Sequence, residues 1–424
     1  MANALKYQYK ADEILNKLYQ KGLMGDTNNG FLQTLIDESL VYGENIPFWQ
    51  ECFTVDGNEQ AADLADMKKN PAWSVTSFKR RMVPMASAMA PLSEGTQLEN
   101  EGFTTKTGSM YQWNAGTYET SLSRIELEAK LKSLNIQDQT ILGGFVKSVA
   151  DVIKSHNSRI SNMAAQSLSN GGAYSNIGQG FDGVLAEQEA YIPLSNYKTA
   201  GKQAWTDNVI GSECDIPEQM RKIEDDFKEA HGLDQSFAMQ WDIPYAMARN
   251  VLLKNPKFIA EINRYIRSTG SDKVQIITVG PSGVPTSAYD TNTITIQQLM
   301  EYSRAENSKI SPIHIVKEKQ VYADFTTYTN CAGWSANKAV LRPLGMAGVV
   351  THAKPKDVAL FQSGEVNDSV SISTAMAQGF LYVVNKVSND GVFKKYMTDV
   401  LGTYATVLNE IQYHVVVDTA TADA

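Results

Sequence analysis

Residues 75–184 constrain this chain more than any other stretch, through the order of their patterns. A polar hairpin pattern with a glycine-spaced tip comes first, then one long amphipathic helix, then a Gly/Asn-rich loop. Phe78 to Leu92 holds Met82, Val83, Met85 and Met89, with Pro84 and Pro91 interrupting it, and proline is tolerated on edge strands because no ladder donor is needed there. The tip, Ser93 to Ser109, carries Gly95, Gly102 and Gly108 together with Glu94, Glu99, Glu101 and Lys106. Ser109 to Ser123 returns as strand, with Tyr111, Trp113 and Ala115 alternating with polar residues. A two-stranded hairpin is marginal in water and needs a surface to lie on. The pattern therefore predicts a flap laid across a neighbouring subunit, and Glu94, Glu99, Glu101, Lys106 and Trp113 are the candidate contact residues.

The helix is predicted over Ile136–Leu168. Ile141, Phe145, Val149, Val152, His156, Ile160, Met163 and Ser167 step by three or four residues along one face, and the span gives a rod of roughly 50 Å. Asn170, Gly171 and Gly172 supply the stop. Ahead of the hairpin, residues 1–70 read as an arm or a pair of surface helices, with Leu5 to Tyr19 and Phe31 to Val41 at helical spacing. Behind the long helix, helix and strand alternate. Asp215, Pro217 and Gly232 bracket one helix, Asp242 with Pro244 starts another, and Pro256 to Gly270 frames a third. Ile294 to Glu306 reads as helix. Val274–Val279, Ile313–Lys317, Val340–Leu341, Gly348–Val350, Ser369–Ser373, Phe380–Val387 and Gln412–Asp418 read as strands, and Met397–Val407 is left open between types. The class is mixed α+β.

Composition narrows the function. A net charge of −9 argues against tight, sequence-independent phosphate binding, which needs clustered Lys and Arg. Cys52, Cys214 and Cys331 are odd in number and widely spaced, the pattern of reduced core thiols in a cytoplasmic protein. No run approaches the roughly 18 apolar residues of a membrane span, and the N-terminus lacks the apolar core of a secretory signal.

Chemistry is hard to find. The five histidines have no close-spaced partner, and neither HExxH nor HxH occurs; His156, on the apolar face of the long helix, reads as a core histidine. Glu224, Asp225 and Asp226 are consecutive on a helix and read as a solvated side. The glycines between Asn170 and Gly183 follow a helix and lack a closing Gly-Lys-Ser/Thr, so a phosphate loop is not expected. No catalytic, cofactor or metal site is assigned.

The succession of arm, hairpin with a Pro-Leu-Ser-Glu-Gly-Thr step (Pro91 to Thr96), Leu-Ser-Arg-Ile-Glu-Leu bridge (Leu122 to Leu127), long helix and glycine loop closing on Phe181-Asp-Gly-Val-Leu185 resembles the major capsid proteins of tailed bacteriophages, the Hong Kong 97 type of fold. The resemblance implies an N-terminal arm over 1–74 and an extended loop over 75–130. It further implies a peripheral domain over 131–270 containing the spine helix, an axial domain over 271–365, and a C-terminal return over 366–424. It also implies a non-enzymatic subunit of an icosahedral head, built in the bacterial host cytoplasm and resident in the virion. Its partners would be further copies in hexamers and pentamers, a separate scaffolding protein, a portal and, in some members, decoration proteins. Packaged double-stranded DNA would be held without sequence-specific binding, and no membrane would be involved. Some members cross-link a loop lysine to a neighbour's asparagine; Lys106 is the one lysine near the tip. The alternatives are an encapsulin-like nanocompartment shell, another phage structural protein such as a tail tube, and an acidic cytosolic hydrolase whose site forms only in three dimensions.

Overall fold

A computed structural model describes residues 48–55, 72–78, 103–120, 139–169, 192–206, 214–269, 275–279, 285–289, 294–306, 308–316, 321–322, 330–331, 333–354, 370–377, 380–390 and 393–422. The arm before residue 48, the hairpin tip with Glu94, Glu99 and Glu101, and the glycine loop after Ser169 lie outside them. The elements in chain order begin with α1 (Phe48–Cys52), β1 (Phe53–Val55), β2 (Ala72–Phe78), β3 (Phe103–Ser109), β4 (Tyr111–Thr120) and α2 (Gln139–Ser169). Next come β5 (Tyr197–Thr199), α3 (Ile216–Ala230), β6 (Met239–Pro244), α4 (Tyr245–Asn250), α5 (Pro256–Thr269), β7 (Gln275–Val279), β8 (Pro285–Tyr289), α6 (Ile296–Arg304) and β9 (Ile313–Val316). The series closes with β10 (Val321–Tyr322), β11 (Asn330–Cys331), β12 (Lys338–Pro343), β13 (Gly348–Ala353), β14 (Val370–Ala377), β15 (Leu381–Asp390), β16 (Phe393–Leu408) and β17 (Val415–Asp418). The α+β class is as the sequence indicates. The chain divides into two units, each assembled from three separated segments: 1–73, 107–163 and 349–407 form one, and 74–106, 164–348 and 408–424 the other.

In the first unit six strands form a sheet in the order β1-β13-β16-β15-β14, with β4 added alongside β16. β14, β15 and β16 are successive antiparallel neighbours. β4 pairs antiparallel with β16 over ten positions, from Tyr111 opposite Tyr404 to Thr120 opposite Lys395. This differs from a free two-stranded flap with limbs at 78–92 and 109–123: β2 pairs with β3, which lies in the expected tip, and the return limb beyond Met110 joins the sheet. Val152, Ile153, His156, Asn157, Ile160 and Met163 on α2 are all buried, the i, i+3, i+4, i+7 stripe of a helix with one face on a core. The aromatic residues of this core interlock: Trp49 and Phe380 meet edge-on at 6.1 Å, and Phe380 and Tyr404 edge-on at 5.9 Å.

The second unit is built on a five-stranded sheet in the order β5-β17-β12-β6-β9. Its three central strands are antiparallel, and the outer two run parallel to their neighbours. β6 and β12 are buried at nearly every position, as expected for strands covered on both faces. Trp205, Trp241, Phe227, Phe258, Ile243 and Leu299 pack into one core here. Capping chemistry sets the helix starts. Asp215 accepts from the Glu218 amide at 3.1 Å, with Pro217 in the first turn of α3. Thr295 and Gln298 form a reciprocal capping box on α6.

Candidate functional site

The polar groups buried in each unit are the places where chemistry could reside. In the first unit His156 places Nδ1 2.9 Å from the Tyr404 hydroxyl and Nε2 2.8 Å from the Val400 carbonyl. A carbonyl can only accept, so Nε2 carries the proton and Nδ1 accepts from the tyrosine. Burial pushes the imidazole down to about 4, the Arg159 charge adds to this, and the bond to Val400 opposes it. The ring is neutral at physiological pH with both nitrogens engaged, which is the core histidine the sequence suggests. Burial likewise raises the Tyr404 phenol well above its ordinary value.

Trp113 stacks on Tyr404 at 6.3 Å, carries the Arg159 guanidinium 4.8 Å above its ring and is 7% exposed. Its side chain thus packs against residues of its own unit and fastens β4 to the sheet. Of the other candidate contact residues, Lys106 lies in β3, and Glu94, Glu99 and Glu101 fall outside the described residues.

The second unit buries a denser cluster. Asp242 on β6 is fully buried, and its Oδ2 accepts from Arg342 Nε at 2.5 Å. Its Oδ1 takes hydrogen bonds from Arg342 Nη2 at 3.3 Å and Gln240 Nε2 at 3.1 Å, and lies 3.0 Å from His314 Nδ1. Burial drives the carboxyl upward, but the Arg342 charge and His314 outweigh it and hold the group well below the usual carboxylate range. The remaining arm of Arg342 donates to the carbonyls of Pro343 at 3.2 Å and Gly345 at 2.5 Å. His414 sits close by, buried, with Nε2 3.1 Å from the Asn409 carbonyl. Burial and then Arg342 push it down to about 4, against the pull of Asn409 and Asp242.

Asp242 has no exposed surface and both of its carboxylate oxygens already accept hydrogen bonds, whereas a general base needs an accessible lone pair. The cluster instead pins β6 to β12 and braces the turn after Pro343. The sequence reading placed Asp242 at a helix start. The structure places it inside β6, and the helix begins at Tyr245 with Pro244 before it. The overlooked signal was Trp241 and Ile243 flanking Asp242 in a buried strand. Glu224 also departs from the expected solvated side: it is buried, 2.8 Å from Lys228 Nζ, and accepts from Ser311 Oγ, while Asp225 and Asp226 are exposed.

A shallow depression of about 230 Å³ lies along β5, β12 and β17, lined by Tyr197, Lys338 and Asp418 among others. Lys338 is neutralised there by Asp418 at 2.6 Å. Cys52 and Cys214 are both buried. Among the described residues no helix is long and apolar enough to cross a membrane.

No protein-family model and no curated protein matches this sequence. Solved structures similar to the chain include a putative capsid protein from a prophage of E. coli CFT073, at 13% identity over 91% of this chain and 98% of that one, with a TM-score of 0.47. A phage-related protein from Bordetella bronchiseptica RB50 is similar at 12% identity over 94% and 98%, with a TM-score of 0.46. The capsid of cyanophage A-1(L) is similar at 11% identity over 89% and 94%, with a TM-score of 0.41.

Proposed function

We propose that this chain is the structural subunit of an icosahedral tailed-phage head that encloses double-stranded DNA, acting by geometry and not by catalysis. The observation that carries the reading is the succession from paired strands β2 and β3, through β4 docked along β16, into the 31-residue helix α2. The sequence pattern has the same succession of hairpin and long helix, with β3 falling in the stretch it assigned to the tip. The buried polar clusters described above agree with it, because each joins elements of its own unit to one another. An acidic chain also suits a container for DNA, since it does not adhere to phosphate.

On this reading 1–74 is the arm, 75–130 the extended loop, 131–270 the peripheral domain, 271–365 the axial domain and 366–424 the return. Glu94, Glu99, Glu101 and Lys106 meet the neighbouring copy, and Trp113 anchors the strand behind them. Hexamers and pentamers of the chain form the shell with a separate scaffolding protein, a portal and decoration proteins where these exist. Assembly takes place in the host cytoplasm, and the finished protein resides in the virion.

Negative-stain electron microscopy of the purified chain, alone and coexpressed with its genomic neighbours, tests this. Closed shells or capsomer rings are expected, and a shell packed with an enzyme in place of DNA would redirect the reading to a nanocompartment. Uniform monomers under both conditions would refute it.

A further inference from the structure

The five-stranded sheet of the second unit has two chemically opposite ends. At one end β5 and β17 begin and β12 finishes, because Tyr197 is level with Val416 and Val415 is level with Leu341. Three of the most exposed large apolar side chains gather there: Leu194 at 88%, Leu344 at 54% and Met346 at 51%. Leu344 and Met346 flank Gly345 in the turn whose carbonyls Arg342 holds. Gly345 has φ +114° and open space where a side chain would be. Asn196 joins the β5 side of this end to the β17 side by donating to the carbonyls of Gln412 and His414. The apolar tip is therefore held in place before any partner arrives, which lowers the entropy cost of docking it.

Among the described residues, the exposed charges nearest this tip are acidic. Glu410 immediately precedes the turn into β17, and Glu229 and Asp234 lie at the end of α3, where His231 and Phe237 contact Tyr413. Lys228, the nearby base, is buried and paired with Glu224. Farther along the same end, beside β9, Arg304, Glu306 and Lys309 are exposed and mixed in sign.

The opposite end carries the reverse charge. Lys202 is exposed between Ala200 and Trp205, whose amides bond the carbonyls of Thr421 and Thr419 just beyond β17. Tyr245, 45% exposed, follows directly on the end of β6. Lys254 and Lys257 are exposed on either side of Asn255, which donates to the Cys214 carbonyl next to the α3 cap. Among the described residues, the acidic groups at this end are largely matched, Asp418 by Lys338 and Glu218 by Arg221, while Asp215 caps α3.

We propose that copies of this chain dock head to tail through these ends, the acid-rimmed Leu194–Leu344–Met346 tip of one copy meeting the basic, Tyr245-bearing end of the next. The inference rests on the shell reading and specifies one of its contacts. A second copy is the partner that the charges favour. Two chains at −9 each repel in general, and opposite ends of the same unit offer a complementary approach. Like ends would place acid against acid. A head-to-tail contact is also the heterologous kind that closes into rings when the rotation allows.

The test uses two charge-reversed variants of the full chain, Glu229→Lys/Glu410→Lys and Lys202→Glu/Lys254→Glu, compared by sedimentation velocity and electron microscopy. Each variant alone opposes like charges and is expected to lose association about tenfold, ~1.4 kcal/mol. An equimolar mixture restores opposite pairing at every junction and should recover assembly. If both variants assemble like the parent, or if both stay folded by circular dichroism and the mixture also fails, the head-to-tail contact is overturned while the shell reading stands. If only one of the two variants fails, the contact does not pair these two ends and the proposal is wrong. A parent chain that forms no assembly removes the shell reading, and this inference with it.

Discussion

Replacing Arg342 by methionine tests whether the buried ion pair braces the second unit. Arg342 is 1% exposed and Asp242 fully buried, so the substitution leaves a carboxylate in the interior without its main counter-charge. The carboxylate keeps only Gln240 and His314, and the carbonyls of Pro343 and Gly345 lose their donor. Breaking one partner of such a pair costs about 3–5 kcal/mol. For a unit of this size that lowers the thermal midpoint by roughly 10 °C. Removing both charges in Asp242→Val/Arg342→Met takes the unpaired carboxylate away, and the turn carbonyls flank exposed residues that water reaches, so the double variant should cost only about 1–2 kcal/mol. The sign of the pH effect follows from the depressed carboxyl. In the parent, its contribution is full above pH ~4 and is lost as pH falls below that. In the single variant the carboxyl titrates higher, so the deficit against the parent should shrink as pH falls from 7 towards 4. Urea unfolding followed by tryptophan fluorescence measures all three chains. A single variant within 1 kcal/mol of the parent, or a double variant costing more than the single, would refute the bracing role.

Two further outcomes concern the first unit. His156 titrates at about 4 when folded and near 6.5 when unfolded, so its contribution is full above pH ~6.5 and lost as pH falls towards 4; His156→Gln should reduce the acid-induced loss of stability by about 3 kcal/mol over that window, measured as parent minus variant to separate it from His414. Gly402→Ala would put a Cβ 2.7 Å from Leu381 Cδ2 and 2.7 Å from Tyr404 Cε1; overpacking of about 1–3 kcal/mol should appear as a lower midpoint in thermal unfolding.

The sequence was most legible where one physical signal dominates. The stripe on α2, the Asp215–Pro217 start of α3 and the Pro256 start of α5 are local, and the observed spans Gln139–Ser169, Ile216–Ala230 and Pro256–Thr269 match them closely. The period of β16 is ambiguous in the sequence, where Gly402 and polar residues interrupt it; long-range pairing with β4 and β15 makes it a 16-residue strand. β6 is masked in the sequence because Asp242 and Pro244 resemble a helix cap; the flanking Trp241 and Ile243, the pairing with β12 and β9 and the distant Arg342 make it a buried strand. The same holds for Trp113: alternation identified its strand, but the ring that covers it belongs to Tyr404, far along the chain. The dipolar ends of the second unit could not be read in advance, since they gather residues from 194 to 410 that only the sheet register brings level.

The position of β17 also bears on how the protein folds. It lies between β5 and β12 in the middle of its sheet, and it consists of Val415–Asp418. Without those residues the two flanking strands have no common neighbour, and Trp205 lacks the Thr419 carbonyl that its amide bonds. Closing this sheet therefore joins residues more than two hundred positions apart, and such long-range pairing slows folding.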